Sequence, residues 1–350
     1  MKYKIVETTG EKGYLQALDM WLQVFPNAAE LKKKYPWYYV NKNFPSSLYL
    51  LKEHEKPEVL GSIGLVSRNF NLFNKNQVVG LCSDFAINKN HQTASPALQL
   101  LKSLIKSSKD KCDILLGFPN NNSILVMRRA GFHILDELPR YALVLKSEPY
   151  IEKLPLSIFK FLITTPLNFL IKLHSWVTRS FNFSDYQLTE IIEIDQSFDK
   201  LWLKFSQNNN LYIGKRNSEY LNWRFISNPR RNFRIFALNH RKNHDLVGYA
   251  VIKISKKMHW YVYDFFTISN NTVLKCLLQK LIAKAIQEKA VSLSIEFLGN
   301  HEVINILSSL RFSKRNSDRK VIFYSVSNHV DMDNLSNVDN WYLTSADELG

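Results

Sequence analysis

One feature of the 350-residue sequence limits what it can fold into: its second half repeats the first. Asp84-Phe85 recurs as Asp264-Phe265, Asn120 as Asn300 and Phe132 as Phe312, all 180 residues apart. Upstream, Gly61 in VLGSIGLV matches Gly248 in LVGYAVIK at a spacing of 187, and Trp37 in KYPWYYV matches Trp223 in YLNWRFI at 186. The change of spacing needs only a hairpin about seven residues shorter in the second copy, and hairpin loops vary readily in length. Ordered agreement over several elements predicts one fold unit used twice in tandem. The length suits two domains of ordinary size. A chain with 45% hydrophobic and 22% charged residues has ample core for both.

In the first copy, Tyr3 to Thr8 alternates as a strand does, and Gly13 to Phe25 places Leu15, Leu18, Leu22 and Phe25 at helical spacing before Pro26. A basic, aromatic stretch, LKKKYPWYYVNKNFP, leads to the strands SLYLLKEH and PEVLGSIGLVSRNF, and Val78 to Ile87 completes a meander. The loop NKNHQTAS then opens a helix at Pro96, whose fixed φ suits a first helical turn. CDILLGFPN reads as a buried strand, a second helix ends at Ala130-Gly131-Phe132, and ILDELPRYALVL supplies closing strands. Backbone donors at such a helix start, with the positive end of the dipole behind them, form a seat for pyrophosphate.

These residues resemble the GNAT superfamily of acyl-CoA-dependent N-acyltransferases. Its pyrophosphate loop, Gln/Arg-x-x-Gly-x-Gly/Ala, is matched at the ends of Gln92-Thr93-Ala94-Ser95-Pro96-Ala97, with Ser95 in the place of glycine. The next helix of the family begins Asn-x-x-Ala-x-x-Leu-Tyr-x-x-x-Gly-Phe. Asn120, Gly131 and Phe132 keep that spacing, while Ser123, Val126 and Met127 replace the alanine, leucine and tyrosine. The combination is similar to two-module GNAT proteins common near bacterial surface-polysaccharide genes. The resemblance implies an α/β fold of two tandem GNAT-like modules, each with a mixed, mostly antiparallel central sheet flanked by helices. The expected division is an acyl-CoA-binding module over 1–149, an amphipathic helical linker over 150–183, a degenerate second module over 184–328 and a tail over 329–350.

The resemblance also implies the chemistry: an acceptor amine attacks a thioester carbonyl, loses a proton and displaces the CoA thiolate. Asp84 stands on the strand that lies beside the thioester, as base or as orienting carboxylate. Asn120 stands at a strand-to-helix junction, as a pantetheine ligand or a helix cap. Phe85, Ala86 and Ile87 of the same strand and the loop Gln92 to Ala97 would hold acetyl-CoA or another acyl-CoA as co-substrate, with no metal. In the second copy the loop positions become Thr272, Lys275 and Leu277, and the bulk of Leu277 argues against CoA there. Met127 cannot return the proton that the family's tyrosine often supplies, although water can.

The second copy offers basic residues instead. From Lys215 to Lys242 eight lysines and arginines face the single acid Glu219, a candidate seat for an anionic acceptor or a solvated surface. Trp37, Trp223 and Arg224 are the substrate-binding candidates: an indole can cover a sugar ring and a guanidinium grips phosphate or carboxylate in two-pronged fashion. The alternative for Arg224 is an ion pair with Glu219. The reaction expected is N-acetylation of a small acceptor that can be anionic, such as an amino-sugar or nucleotide-sugar.

Two other readings stand beside it. A FemABX-like aminoacyl or peptidyl transferase would use the net charge of +15 on tRNA, and a non-catalytic scaffold would use IEKLPLSIFKFLITTPLNFLIKLHSWVTRSF on a membrane surface. No nucleic-acid-binding signature accompanies the charge, whereas peripheral membrane contact stays open. No amino-terminal apolar stretch suits a signal peptide, which points to the cytoplasm. Cys82, Cys112 and Cys276 lie in apolar stretches and read as buried free thiols. Oligomeric state is not legible.

Overall fold

A computed structural model describes residues 3–25, 28–41, 43–54, 56–72, 75–91, 94–146, 185–207, 209–229, 232–268, 270–327 and 329–348. The predicted linker over 150–183 lies outside them, as do Gln92 and Thr93. The chain forms two eight-stranded sheets, each mixed and each flanked by helices.

The first sheet begins as a meander of β1 (Tyr3–Thr8), β2 (Ser46–Glu53), β3 (Val59–Leu72) and β4 (Lys75–Ile87), joined in parallel to β5 (Ile114–Gly117). All four β5 residues are buried, as an apolar run covered on both faces requires. Helices α1 (Gly10–Val24) and α2 (Ala28–Tyr39) pack on one face, and α3 (Ala94–Ser108) and α4 (Ile124–Arg129) on the other. The buried stripe of α1 is Tyr14, Ala17, Met20 and Trp21, not the expected row of leucines; Leu15 is half exposed. The indole decides the rotation, because Trp21 stacks on Tyr35 and donates to Ser62 Oγ at 2.6 Å, contacts available only on the sheet side.

The second sheet repeats this order. β8 (Tyr186–Ile191), β10 (Phe233–His240), β11 (Leu246–Ile254) and β12 (His259–Thr267) run antiparallel, and β13 (Ser292–Gly299) joins β12 in parallel. Its helices include α5 (Ser197–Ser206), α6 (Ser218–Leu221), α7 (Asn271–Gln287) and α8 (His301–Ser309). The shorter β11–β12 hairpin is where the missing residues were expected. The longer first-sheet hairpin uses its extra length to pair with β9 (Ile213–Gly214), through Phe70 and Asn71.

One expectation fails. ILDELPRYALVL does not close the first sheet alone: β6 (His133–Glu137) stays, but β7 (Arg140–Val144) crosses over and inserts between β13 and β14 (Ser313–Arg315) of the second sheet. In return β15 (Lys320–Ser325) leaves the second copy and inserts between β5 and β6. The exchange is reciprocal, since β7 and β15 begin 180 residues apart. Each sheet is therefore completed by the other half of the sequence. The predicted tail is also built into the fold, as α9 (Met332–Ser336) and β16 (Tyr342–Thr344), which pairs with β13. Trp341 and Leu343 are fully buried.

Candidate functional site

β4 and β5 are paired only as far as Cys82 and Gly117. Beyond that point, among the described residues, no strand pairs with β4 on its β5 side, so Ser83 to Ile87, including Phe85, Ala86 and Ile87, border an open cleft. The cleft begins at a bulge: Ser62 pairs with Ala86 and Gly64 with Ser83, which sets Asp84 and Phe85 against Ile63 alone. Asp84 takes a left-handed backbone, φ +48°, a conformation that costs most residues roughly 1–2 kcal/mol and that Asp tolerates better than most.

Three side chains hold this strained turn. Lys34 of α2 donates to Asp84 Oδ1 at 3.0 Å and Tyr39 to Oδ2 at 2.6 Å. Ser62 donates to the Asp84 carbonyl at 3.0 Å while accepting from Trp21. Lys34 and Asp84 side chains are only 5% and 6% exposed, so the carboxylate is a member of a buried ion pair. Tyr39 reaches it across Gly64, where a Cβ would stand 2.2 Å from the tyrosine oxygen. Burial, and then the Asp84 charge, push the Tyr39 hydroxyl well above its ordinary pKa, so it stays a donor.

The other predicted residues occupy the cleft rim. α3 begins at Ala94; Ser95 is exposed and accepts from Gln99 at 3.1 Å, and Pro96 lies in the first turn. Ala97 is 7% exposed and packs into the core with Leu100. Its small side chain therefore serves helix–sheet packing, and the same holds for Leu277, which is fully buried. Bulk at that position is not what separates the two copies. Asn120 Oδ1 accepts from the backbone of Asn122 and Ser123 at 3.0 Å, so it caps the turn into α4, as Asn300 does for α8 at Glu302. Met127 is buried beneath β5.

The corresponding cleft of the second sheet is filled. β12 and β13 part after Val262 and Ile295, but Phe297, Leu298 and Gly299 then pair with Thr344, Leu343 and Tyr342 of β16. Tyr342 packs on Phe265 and Phe297 and donates to the Phe265 carbonyl at 2.7 Å. A Cβ on Gly299, φ +144°, would meet the Trp341 carbonyl oxygen at 1.8 Å, so only glycine admits the plug. The loop before α7 is shorter than that before α3, 268–270 against 88–93. Asn270 caps α7 by accepting from Thr272 and Val273 at 2.8 and 3.3 Å. A cavity of about 190 Å³ remains between Thr267, Asn270, Asn300 and Tyr342.

Asp264, the counterpart of Asp84, lies in a larger ionic cluster. Arg216 binds it through Nε at 3.1 and 3.2 Å and binds Asp347 through Nη2 at 2.7 Å; Arg68 of the first sheet binds Asp347 at 3.0 Å. All four side chains are at most 1% exposed. Burial works to raise the Asp347 carboxyl, but Arg216 and Arg68 outweigh it and hold the group below the usual range.

Trp37 and Trp223, expected on substrate, instead join the two halves, and Arg224 is held mainly by main-chain carbonyls. The two indoles stack 4.9 Å apart, and each donates to the other's backbone carbonyl, at 3.0 and 3.3 Å, joining the repeat-matched segments face to face. Arg224 is 4% exposed and donates to the carbonyls of Ser345, Ala346 and Glu348, not to Glu219. Nor is Lys215 to Lys242 one basic face, since Arg216 is internal and Arg234 is held by Glu190 and Glu288. The thiols are inert by burial, which pushes Cys112 and Cys276 up to about 11. Lys34, Asn270, Tyr342 and Asp347 were not singled out from the sequence, and Arg216 entered only as one member of the basic stretch.

No family model matches the sequence, and no curated protein matches it. Solved structures do. A conserved Enterococcus faecalis protein of unknown function, described as a probable N-acyltransferase, superposes with TM-score 0.65 at 11% identity, over 93% of this chain and 73% of its own. A GCN5-related N-acetyltransferase from Anabaena variabilis gives 0.62 at 12% identity, over 93% and 73%. N-myristoyltransferase from Saccharomyces cerevisiae, with bound myristoyl-CoA, gives 0.54 at 10% identity, over 92% and 82%. By fold, therefore, the chain is a pair of tandem GNAT-like modules joined by strand exchange.

Proposed function

We propose that the chain is an acyl-CoA-dependent N-acyltransferase in which the first module alone holds the acyl donor, acetyl-CoA or a longer acyl-CoA. The observation that carries this reading is the difference between the clefts: one has an open strand edge and a bulge clamped by buried charges, while the other is occupied by β16. The edge from Ser83 to Ala86, beyond the last β4–β5 pair, offers main-chain groups to a pantetheine arm, and the start of α3 at Ala94 offers backbone donors to a pyrophosphate. With Oδ1 of Asn120 committed to its cap, the amide nitrogen is the part of that side chain that can face the arm.

In the reaction the acceptor nitrogen bonds to the thioester carbonyl carbon, the carbon–sulfur bond breaks, and the amine proton ends on the departing thiolate. Asp84 stays bonded to Lys34 and Tyr39, so its part is to hold the bulge that aims the strand edge, and water carries the proton. Positioning of this kind supplies much of a transfer enzyme's rate. The acceptor is a small amine of the amino-sugar class. Titration calorimetry of the full chain with acetyl-CoA tests the reading: one equivalent should bind, and Asp84→Asn should lower turnover more than it lowers acetyl-CoA affinity. Absence of binding by acetyl-CoA and by longer acyl-CoAs would overturn it.

A further inference from the structure

A cavity of about 320 Å³ lies on the face of the second sheet that carries Tyr261, Ser294 and Glu296. That volume is at the small-ligand end of binding sites. Arg140 enters it from the start of β7, Arg319 from the turn before β15, and Arg224 from below. Both exchanged strands thus deliver an arginine to one place.

The charges in this cavity are unequally spent. Glu296 accepts from Arg319 and from Ser345, each at 2.6 Å, and Glu348 also pairs with Arg319. Arg224 uses Nε and Nη2 on carbonyls, and its Nη1 makes no hydrogen bond among the described residues. Arg140 is exposed and forms no hydrogen bond or ion pair among them; it lies between Arg315 of β14 and Glu296 of β13, and Glu296 is already held by Arg319 and Ser345. Like charges facing each other across strands are destabilising. The carboxylates are taken and guanidinium donors are left over, so the complement this cavity lacks is an anion.

Its place relates it to the open cleft. Ile322 lies opposite Gly117, the last residue of β5, so Lys320 and Arg319 extend past β5 at the end of the sheet where β4 diverges. Tyr38 is fully buried, and burial and then the Asp84 charge push its hydroxyl well above the ordinary value while Arg224 opposes them.

We propose that this cavity seats the anionic group, phosphate or carboxylate, of the acceptor amine, with Arg140 as the residue that selects for it. The identity of the ligand as acceptor rests on the acyl-transfer reading; the anion preference does not. Calorimetry on the full chain, in the presence and absence of acetyl-CoA, with glucosamine, its 6-phosphate and its 6-carboxylate as probes, tests both. One charged sugar should bind about tenfold or more tighter than glucosamine, as a charge-assisted contact to arginine implies, and the tighter of the two identifies the anion. Arg140→Gln should abolish the preference while acetyl-CoA affinity and thermal midpoint stay as in the parent. Equal binding of all three sugars, no binding by any, or a preference that survives Arg140→Gln would overturn the proposal. A wild-type chain that keeps the preference but binds no acyl-CoA would retain the anion site and sink the acyl-transfer reading instead.

Discussion

The two clefts begin from the same topology and end differently. Both lie where a parallel pair of strands parts beside an aspartate, Asp84 in one and Asp264 in the other. In the first module the aspartate is in a left-handed turn, held by one lysine and one tyrosine, and the strand edge beyond it is open. In the second the aspartate has an ordinary φ and belongs to a four-charge cluster, the helix start is capped by Asn270, and Tyr342 fills the gap. The comparison teaches that a duplicated cleft can be closed without altering its framework. A few residues of chain beyond the last repeated strand convert an open cleft into core.

The strongest way to break this comparison is to attack the second aspartate's partner. Arg216→Met leaves Asp264 and Asp347 buried without their shared cation, and removing one member of a buried ion cluster costs about 3–5 kcal/mol. Urea unfolding should show that loss; a change under about 1 kcal/mol would mean the cluster is relieved by water and the second module is not locked as described.

Tyr342→Ala should cost about 3 kcal/mol, the scale for deleting a buried aromatic. Opening the plug should not create a second acyl-CoA site, because Asn270 still occupies the donors of α7. Calorimetry giving two equivalents of acetyl-CoA would show instead that closure alone silences this module.

A charged brace sharpens the contrast at the sheet's far edge. Arg234 binds Glu190 and Glu288, and these hydrogen bonds, with Arg234 foremost, hold the Glu288 carboxyl down to about 2 from 4.5. A depressed carboxylate stabilises the folded state above its unfolded pKa and loses that contribution as pH falls. The gap in stability between parent and Glu288→Gln, about 1 kcal/mol at pH 7 for so exposed a network, should close between pH 4.5 and about 2. The side chain at the repeat-matched position of the first module, Ser108, is uncharged and donates to the Leu104 carbonyl, and Ser108→Ala should show no such closing.

Caps give the smaller effects. Asn270→Ala should lower stability by about 1 kcal/mol, and Ser95→Ala, at the start of α3, by much less. At the ends of α4 and α8 the same left-handed position is Gly131, φ +104°, in one copy and Arg311, φ +67°, in the other. Arg311→Gly should stabilise by under about 1 kcal/mol, and a thermal midpoint that falls would show that the arginine side chain repays its strained backbone.

Much of the fold could be read from residues alone because it depends on short-range signals. Alternating strands, the Gly131 helix end, the Asn120 cap and the 180-residue register are all local patterns, and their order implied the duplicated topology. The candidate site was less legible. Asp84 was found, but its partners Lys34 and Tyr39 lie 50 and 45 residues away in sequence, and nothing local in LKKKYPWYY separates the buried lysine from the exposed ones. Trp37 and Trp223 were recognised as a matched pair, yet a sugar-binding indole and an interface indole look alike until their neighbours are known.

The sequence by itself determined that one unit is used twice and where most strands and helices of the first copy lie. Only the tertiary structure decided which sheet each exchanged strand completes, that the carboxy-terminal segment fills the second cleft, and that Arg216 and Arg224 of the basic stretch are internal. The physical reason is that strand identity is written in side-chain periodicity, whereas strand partnership and charge pairing are settled by which distant surfaces meet. β7 and β15 stand at repeat-matched positions, yet each completes the sheet of the other half, so their exchange is a property of the assembled chain.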